Sequence, residues 1–162
     1  AHPGTIIILG EDDYIYNKGF FTSIVNDIEI GSFVTTYNHP DYESRWTHRI
    51  FSYFNKGRKL STVCSFAGYS EDFLDSRHIF DLYTNSVVGD GGMWKMLTIP
   101  LLGVCSSFKE LYFDEKMNKL NMLYIIQAFM NEFLKKRKRL VVTHKSYSSH
   151  IVHDGFLKGF IY

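Results

Sequence analysis

Apolar and polar residues alternate along this chain with periods that predict its secondary structure. Short runs rich in β-branched residues predict strands at Thr5–Leu9 and at Leu140–Thr143. The longest segment with helical spacing is Asn118–Leu134, for which Asn118 is the expected N-cap. We expect large apolar residues at helical spacing to form its buried stripe, namely Leu120, Leu123, Ile126 or Gln127, Met130, and Phe133 or Leu134.

The rest of the chain predicts a mixture of helices, strands and turns. The first third is predicted to contain a helix from Asp12 or Asp13 to Val25, a strand over Ile28–Tyr37, a turn over Asn38–Asp41 and a helix over Asp41–Phe54. The middle is predicted to contain strands over Lys59–Tyr69, Arg77–Val88 and Met93–Val104, the last interrupted by Pro100, with an acidic turn over Ser70–Ser76 and a glycine-rich turn over Gly89–Gly92 between them. An irregular connector follows over Cys105–Lys116, and a short helix over Tyr147–Asp154 precedes Gly155-Phe156. This order predicts one α/β (α+β) layered domain over residues 1–162, with a mixed central sheet and flanking helices.

Composition narrows the classes of protein to which the chain can belong. Hydrophobic residues make up 45% of the chain and aromatic residues 17%, which is enough for a core rich in rings. The net charge of +1 gives no general attraction to nucleic acid or membranes. No apolar run reaches the roughly 18 residues of a membrane span. Cys64 and Cys105 form no CxxC pair, which favours a reduced, cytoplasmic compartment over a disulfide framework.

The last third of the chain resembles the GNAT superfamily of acyl-CoA N-acyltransferases. Met96–Val104 resembles the fourth strand of that family, Asn118–Lys136 its long helix, and Leu140–Thr143 its fifth strand. The close of the chain, Tyr147–Asp154 with Gly155-Phe156, resembles the final short helix and its Gly-Phe. The family's glycine loop is missing, since Cys105–Asn121 contains no glycine, so the resemblance is to a divergent member.

The resemblance implies transfer of an acyl group from a CoA-type or carrier thioester to a small-molecule or peptide amine. Leu102, Gly103 and Val104 would then present main chain to the pantetheine of the acyl donor, because extended ligands can add to a sheet edge. Asn118 would cap the helix at the phosphates, and Lys119 would help to neutralise them.

Candidate catalytic residues follow from the same resemblance. In the family, a tyrosine four residues before the Gly-Phe often protonates the departing thiolate, and that position is Ile151 here. It is flanked by Tyr147, His150 and His153, which are spaced three residues apart. A histidine can exchange protons near neutral pH, so these side chains are the expected acid. Glu71, Asp72 and Asp90, in predicted turns beside the acceptor site, are candidates for the base, and the sequence prefers none of them.

Three other interpretations remain open. Aromatic residues and the basic cluster Lys135–Arg139 would suit a non-enzymatic module that binds a nucleotide or RNA by stacking and phosphate contact. A nuclease site would use Pro40-Asp41 with Asp114-Glu115-Lys116. A metal site could be built from His144, His150 and His153, although we expect no metal.

Overall fold

A four-stranded mixed sheet organises the protein. The structure is a computed structural model that describes residues 2–10, 14–35, 65–135, 138–142, 148–152 and 155–156. The sheet contains β1 (Ile6–Leu9), β3 (Ser32–Thr35), β4 (Phe66–Tyr69) and β5 (Arg139–Val142) in the order β1-β4-β3-β5. The pairs β1/β4 and β4/β3 are antiparallel, and β3 pairs with β5 in parallel. The predicted α+β architecture with a mixed sheet is therefore confirmed.

A second, smaller sheet is formed by β2 (Tyr14–Tyr16), β6 (Ser148–Val152) and β7 (Gly155–Phe156), all antiparallel. Two predictions are corrected here. The helix expected from Asp12 or Asp13 begins only at Phe20, after β2, and the short helix expected over Tyr147–Asp154 is a strand where the structure describes it.

Six helices pack around the main sheet in the described part of the chain: α1 (Phe20–Asp27), α2 (Ser70–Asp75), α3 (Arg77–Thr84), α4 (Asp90–Thr98), α5 (Pro100–Phe113) and α6 (Lys119–Phe133). Adjacent residues of a strand point to opposite faces of the sheet, and helices cover both faces here. Val34 and Ala67 pack against α1 on one face, whereas Phe33, Phe66 and Leu140 pack on the other against a core that α3, α4, α5 and α6 complete.

Aromatic rings hold the sheet to the helices. Phe33 is fully buried and makes edge contacts with Phe66, Phe73 and Trp94 at centroid distances of 5.2–5.9 Å. Gly68 lies opposite Phe33 in the β3/β4 pair, where a Cβ would come within 2.6 Å of the Phe33 ring. A strand glycine is thus required for the ring to lie across the sheet.

The middle of the chain was predicted wrongly. The turn expected at Ser70–Ser76 is α2, and the strand expected at Arg77–Val88 is α3. The strand expected at Met93–Val104 lies in α4 and α5, with Pro100 at the first turn of α5, where its missing N–H costs nothing. The expected connector after Cys105 is largely α5. The structure does not describe the predicted turn and helix between 38 and 54.

Glu110 explains why the glycine-rich segment begins a helix. The Gly89 N–H donates to Glu110 Oε2 at 2.9 Å, and a carboxylate at a helix start is favoured by the helix dipole. A Cβ on Gly92 would come within 2.8 Å of both Glu110 Oε2 and Ser107 Oγ. The glycines therefore allow α5 to approach the start of α4.

The long helix α6 is confirmed, including its cap, but its predicted buried face is wrong. Asn118 Oδ1 accepts from the Asn121 N–H at 2.8 Å. The buried residues of α6 are Ile125, Ala128 and Glu132. The predicted stripe is exposed instead, and its exposed members are Leu120, Leu123, Ile126, Gln127, Met130, Phe133 and Leu134. In the described part of the chain, no helix is long and apolar enough to cross a membrane.

Candidate functional site

A polar cleft lies between α3 and α6. Its volume is about 530 Å³, within the usual range for small-molecule sites. Both helices contribute residues at helical spacing, so one face of each lines the cleft. The lining residues are His78, Asp81, Leu82, Asn85, Val87, Asn121, Tyr124, Gln127, Ala128 and Asn131.

Four amide side chains give the cleft its chemical character. Asn85 Nδ2 donates to the Asp81 carbonyl at 2.7 Å, and Asn121 Nδ2 donates to the Lys116 carbonyl at 2.9 Å. These bonds fix two of the amide groups on the backbone, while Gln127 and Asn131 lie one turn apart on the exposed side of α6. An amide presents a donor and an acceptor side by side, so the cleft can pair with ligands that do the same.

A buried carboxylate lies beside one end of the cleft. Glu132 is fully buried, and its Oε2 lies 3.1 Å from Nε2 of His78, which lines the cleft. The contact is not aligned as a hydrogen bond, and neither Glu132 oxygen has another partner. Among the described residues, the buried side-chain atoms without a hydrogen bond belong to Ser76, His78 and Glu132.

These unsatisfied atoms lie where the start of α3 meets the end of α6. Ser76 immediately precedes α3, and Lys135, just after α6, forms a 2.9 Å ion pair with Asp75. Buried polar atoms without partners are rare in proteins, and each calls for an explanation such as a catalytic role or a bound water or ion. The combination of an amide-lined cleft and an unpaired carboxylate behind its histidine makes this the best candidate site among the described residues.

A second depression of about 480 Å³ lies next to the cleft, and both include Val87. Its charged residues are Asp90, Glu110, Asp114 and Lys116. Glu110 is already occupied by the Gly89 N–H, and Lys116 pairs with Asp114 at 3.6 Å. Within the described ranges, no group of three or more histidine, cysteine, aspartate or glutamate residues is arranged to hold a metal ion.

The basic cluster at Lys135–Arg139 forms ion pairs where the structure describes it. Lys138 is buried and pairs with Asp72 at 2.7 Å and with Asp75 at 2.9 Å. Burial opposes the charge on Lys138, but its bonds to these two carboxylates outweigh burial and raise the pKa of Lys138. Burial likewise opposes the charge of Asp75, yet hydrogen bonds from Lys135 and Lys138 lower the pKa of Asp75. Much of this cluster therefore neutralises acidic residues of the chain itself.

The predicted cofactor contacts lie on helices. Leu102, Gly103 and Val104 are in α5, whose main-chain groups bond within the helix, so they cannot present a strand edge to a ligand. A Cβ on Gly103 would come within 2.3 Å of the Met96 nitrogen, so this glycine serves the close crossing of α4 and α5. Asn118 caps α6, and Lys119 is its exposed first residue.

The predicted catalytic residues do not gather at the cleft in the part of the chain that the structure describes. Glu71 is the second residue of α2, where its own N–H, the Gly4 N–H and the Ser70 hydroxyl lower the pKa of its carboxyl group. Asp90 lies in the first turn of α4 and lines the second depression. His150 is in β6, opposite Tyr14, while Tyr147 and His153 lie outside the described residues.

Residues of the alternative interpretations fall partly outside the described ranges as well. Pro40, Asp41 and His144 are not described, and Asp114 follows the last residue of α5. The cleft residues were missed because 77–88 was predicted to be a strand. The i, i+3, i+4, i+7 spacing of His78, Asp81, Leu82 and Asn85 was the signal that could have found them.

Comparison of the chain with family models, with curated proteins and with solved structures finds no match. The resemblance to the GNAT superfamily stays a prediction, and so does the acyltransferase activity that it implies. The case for a function therefore rests on the α3–α6 cleft itself.

Proposed function

We propose that the protein binds a small uncharged ligand with a planar hydrogen-bonding edge, of the nucleoside class, in the α3–α6 cleft. The observation that carries the proposal is the lining: four amide side chains and a tyrosine surround a cavity of about 530 Å³. Binding of a nucleotide or RNA was the alternative predicted from the sequence, through aromatic and basic residues. The ligand proposed here is of a related class, but the residues that would bind it are different and include no basic side chain.

The amides and the ring match the two surfaces of a nucleobase. Asparagine and glutamine form paired hydrogen bonds with base edges, because an amide offers a donor and an acceptor at matching separation. Tyr124 is 43% exposed beside Gln127 and Asn131, so its ring is accessible for stacking. A base held by its edge against α6 would leave the ribose hydroxyls near Asp81 and His78.

The charge of the site favours a nucleoside over a nucleotide or RNA. No lysine or arginine is among the described residues lining the cleft, whereas Asp81 lines it and Glu132 lies behind His78. A phosphate would meet negative charge there without a cation to neutralise it. Lys135, Lys138 and Arg139, the described residues of the basic cluster, already form ion pairs with carboxylates and are less available to a phosphate backbone.

The test is isothermal titration calorimetry with adenosine, guanosine, cytidine and uridine. Adenosine 5′-monophosphate, glucose and acetyl-CoA serve as competing classes of ligand. We expect at least one nucleoside to bind and to raise the melting temperature, with weaker binding of its 5′-phosphate. Tighter binding of the phosphate, or binding of only glucose or only acetyl-CoA, would contradict the proposal.

Paired variants localise the site. Tyr124→Ala should weaken nucleoside binding by about tenfold or more, because stacking on one base contributes roughly 1–3 kcal/mol. Tyr112→Ala is the matched control, since Tyr112 is an exposed tyrosine on α5 that does not line the cleft. Equal effects of the two substitutions would show that the ligand binds elsewhere.

A further inference from the structure

The exposed face of α6 carries an apolar seam that the fold leaves uncovered. Leu123, Ile126, Met130 and Phe133 follow a 3-4-3 spacing, which places them along one line of the helix. Each is 45–57% exposed, and Leu134 beside them is 82% exposed. With 3.6 residues per turn, this line lies roughly opposite the face buried through Ile125, Ala128 and Glu132.

We propose that this seam is a homodimer interface, in which α6 of one copy packs against α6 of a second copy across a two-fold axis. A two-fold interface uses the same surface on both copies, so the seam needs only to be complementary to itself. The 15 residues of α6 span about 22 Å, which is long enough for two helices to pack over several turns.

The absence of charge on the helix supports a second copy as the partner. Between Lys119 and Glu132 the sequence of α6 contains no charged residue, and Glu132 is buried on the opposite face. A charged partner, such as nucleic acid or an acidic peptide, would find only Lys119, at the first position of α6, in line with these side chains. An identical apolar seam meets no unpaired charge and buries the same side chains twice.

The area of the seam is of the size of the apolar centre of a dimer interface. Taking about 150–200 Å² for each large side chain, the exposed parts of these five residues amount to roughly 440–580 Å². An ordinary specific interface buries about 800 Å² on each partner, with an apolar centre and a polar rim. The seam thus supplies the apolar centre, and polar residues on either side of α6 supply the rim.

The seam and the ligand cleft occupy different sides of the same helix. Tyr124, Gln127 and Asn131 lie on the flank that faces α3, and the seam residues lie on the other flank. A dimer formed through the seam leaves the cleft open. The interface therefore does not depend on the proposed ligand, and either proposal can fail without the other.

Sedimentation velocity of the full chain between 1 and about 200 μM tests the dimer. We expect a monomer–dimer equilibrium in which Met130→Glu raises the dissociation constant at least about tenfold without lowering the melting temperature of the dilute monomer. Leu101→Glu is the matched control, because Leu101 is an exposed leucine on α5 outside the seam, and it should leave the dissociation constant unchanged.

Three outcomes would overturn the proposal. A wild-type chain that stays monomeric at all concentrations would show that no second copy binds the seam. A marked loss of monomer stability in Met130→Glu would show that another segment of the same chain covers it. A dimer that Leu101→Glu disrupts and Met130→Glu leaves intact would place the interface elsewhere.

Discussion

Replacing Glu132 with methionine should make the protein more stable. Glu132 is fully buried, both carboxylate oxygens lack a hydrogen bond, and His78 Nε2 lies 3.1 Å from Oε2. A side chain with this environment costs folding free energy, because it loses water without gaining bonds in return. Methionine has a similar length and removes that cost.

The magnitude follows from the contacts. A buried polar group without a hydrogen bond costs about 1–3 kcal/mol, and the methionine removes that cost. His78 has 20% of its side chain exposed, and its buried Nε2 has no hydrogen bond, so the change takes no hydrogen bond from it. We therefore expect Glu132→Met to raise the free energy of unfolding by about 1–3 kcal/mol.

Urea unfolding followed by circular dichroism measures this change, with the slope against urea unaltered. Glu110→Met is the control, since that carboxylate accepts a bond from the Gly89 N–H, and we expect it to cost about 1 kcal/mol. Nucleoside binding should weaken in Glu132→Met, because His78 loses the group beside it. A loss of 1 kcal/mol or more of stability in Glu132→Met would refute the reasoning, since it would make the carboxylate a structural residue.

Three further predictions concern the scaffold around the site. Lys138→Met should lower the free energy of unfolding by about 3–5 kcal/mol in urea denaturation, because it leaves the buried carboxylate of Asp72 unpaired; an unchanged midpoint would contradict this. The raised pKa of Lys138 means that its contribution is complete below the ordinary lysine value of 10.5 and is lost as the pH rises through the higher folded value. The lowered pKa of Asp75 means that its contribution is present above 3.8 and is lost as the pH falls through the lower folded value, so thermal melts across pH should show both losses. Gly103→Ala should lower the free energy of unfolding by about 1–3 kcal/mol, because the added Cβ would collide with the α4 backbone. A melting temperature equal to that of the wild type would contradict this, since it would show that α4 and α5 can move apart without cost.

Local patterns predicted those elements whose signals are complete within a few residues. The β-branched run at the start became β1, and the run after the basic cluster became β5. The asparagine before the long helix became its cap, since capping needs only the next three residues. In each case the neighbouring residues in sequence supply the determining interaction.

Predictions failed where the determining partner is distant in sequence. The segment Arg77–Val104 contains short apolar runs that periodicity cannot divide between strand and helix. Its glycine-rich start became a helix N-terminus because Glu110 caps it from α5. The candidate site failed for the same reason, since His78 and Glu132 are 54 positions apart and meet only when α3 packs against α6.

By itself, the sequence determined that this chain is an α+β protein with an aromatic core, a capped α6 and strands at both ends, because local periodicity and capping encode those features. The tertiary structure alone decided which face of α6 is buried. Both faces carry apolar residues, so hydrophobicity does not choose between them. The close packing of α6 against α5, α3 and α4 selects the face with the small Ala128. That choice buries Glu132 beside His78, opens the amide-lined cleft on one flank, and leaves the larger apolar residues exposed on the other.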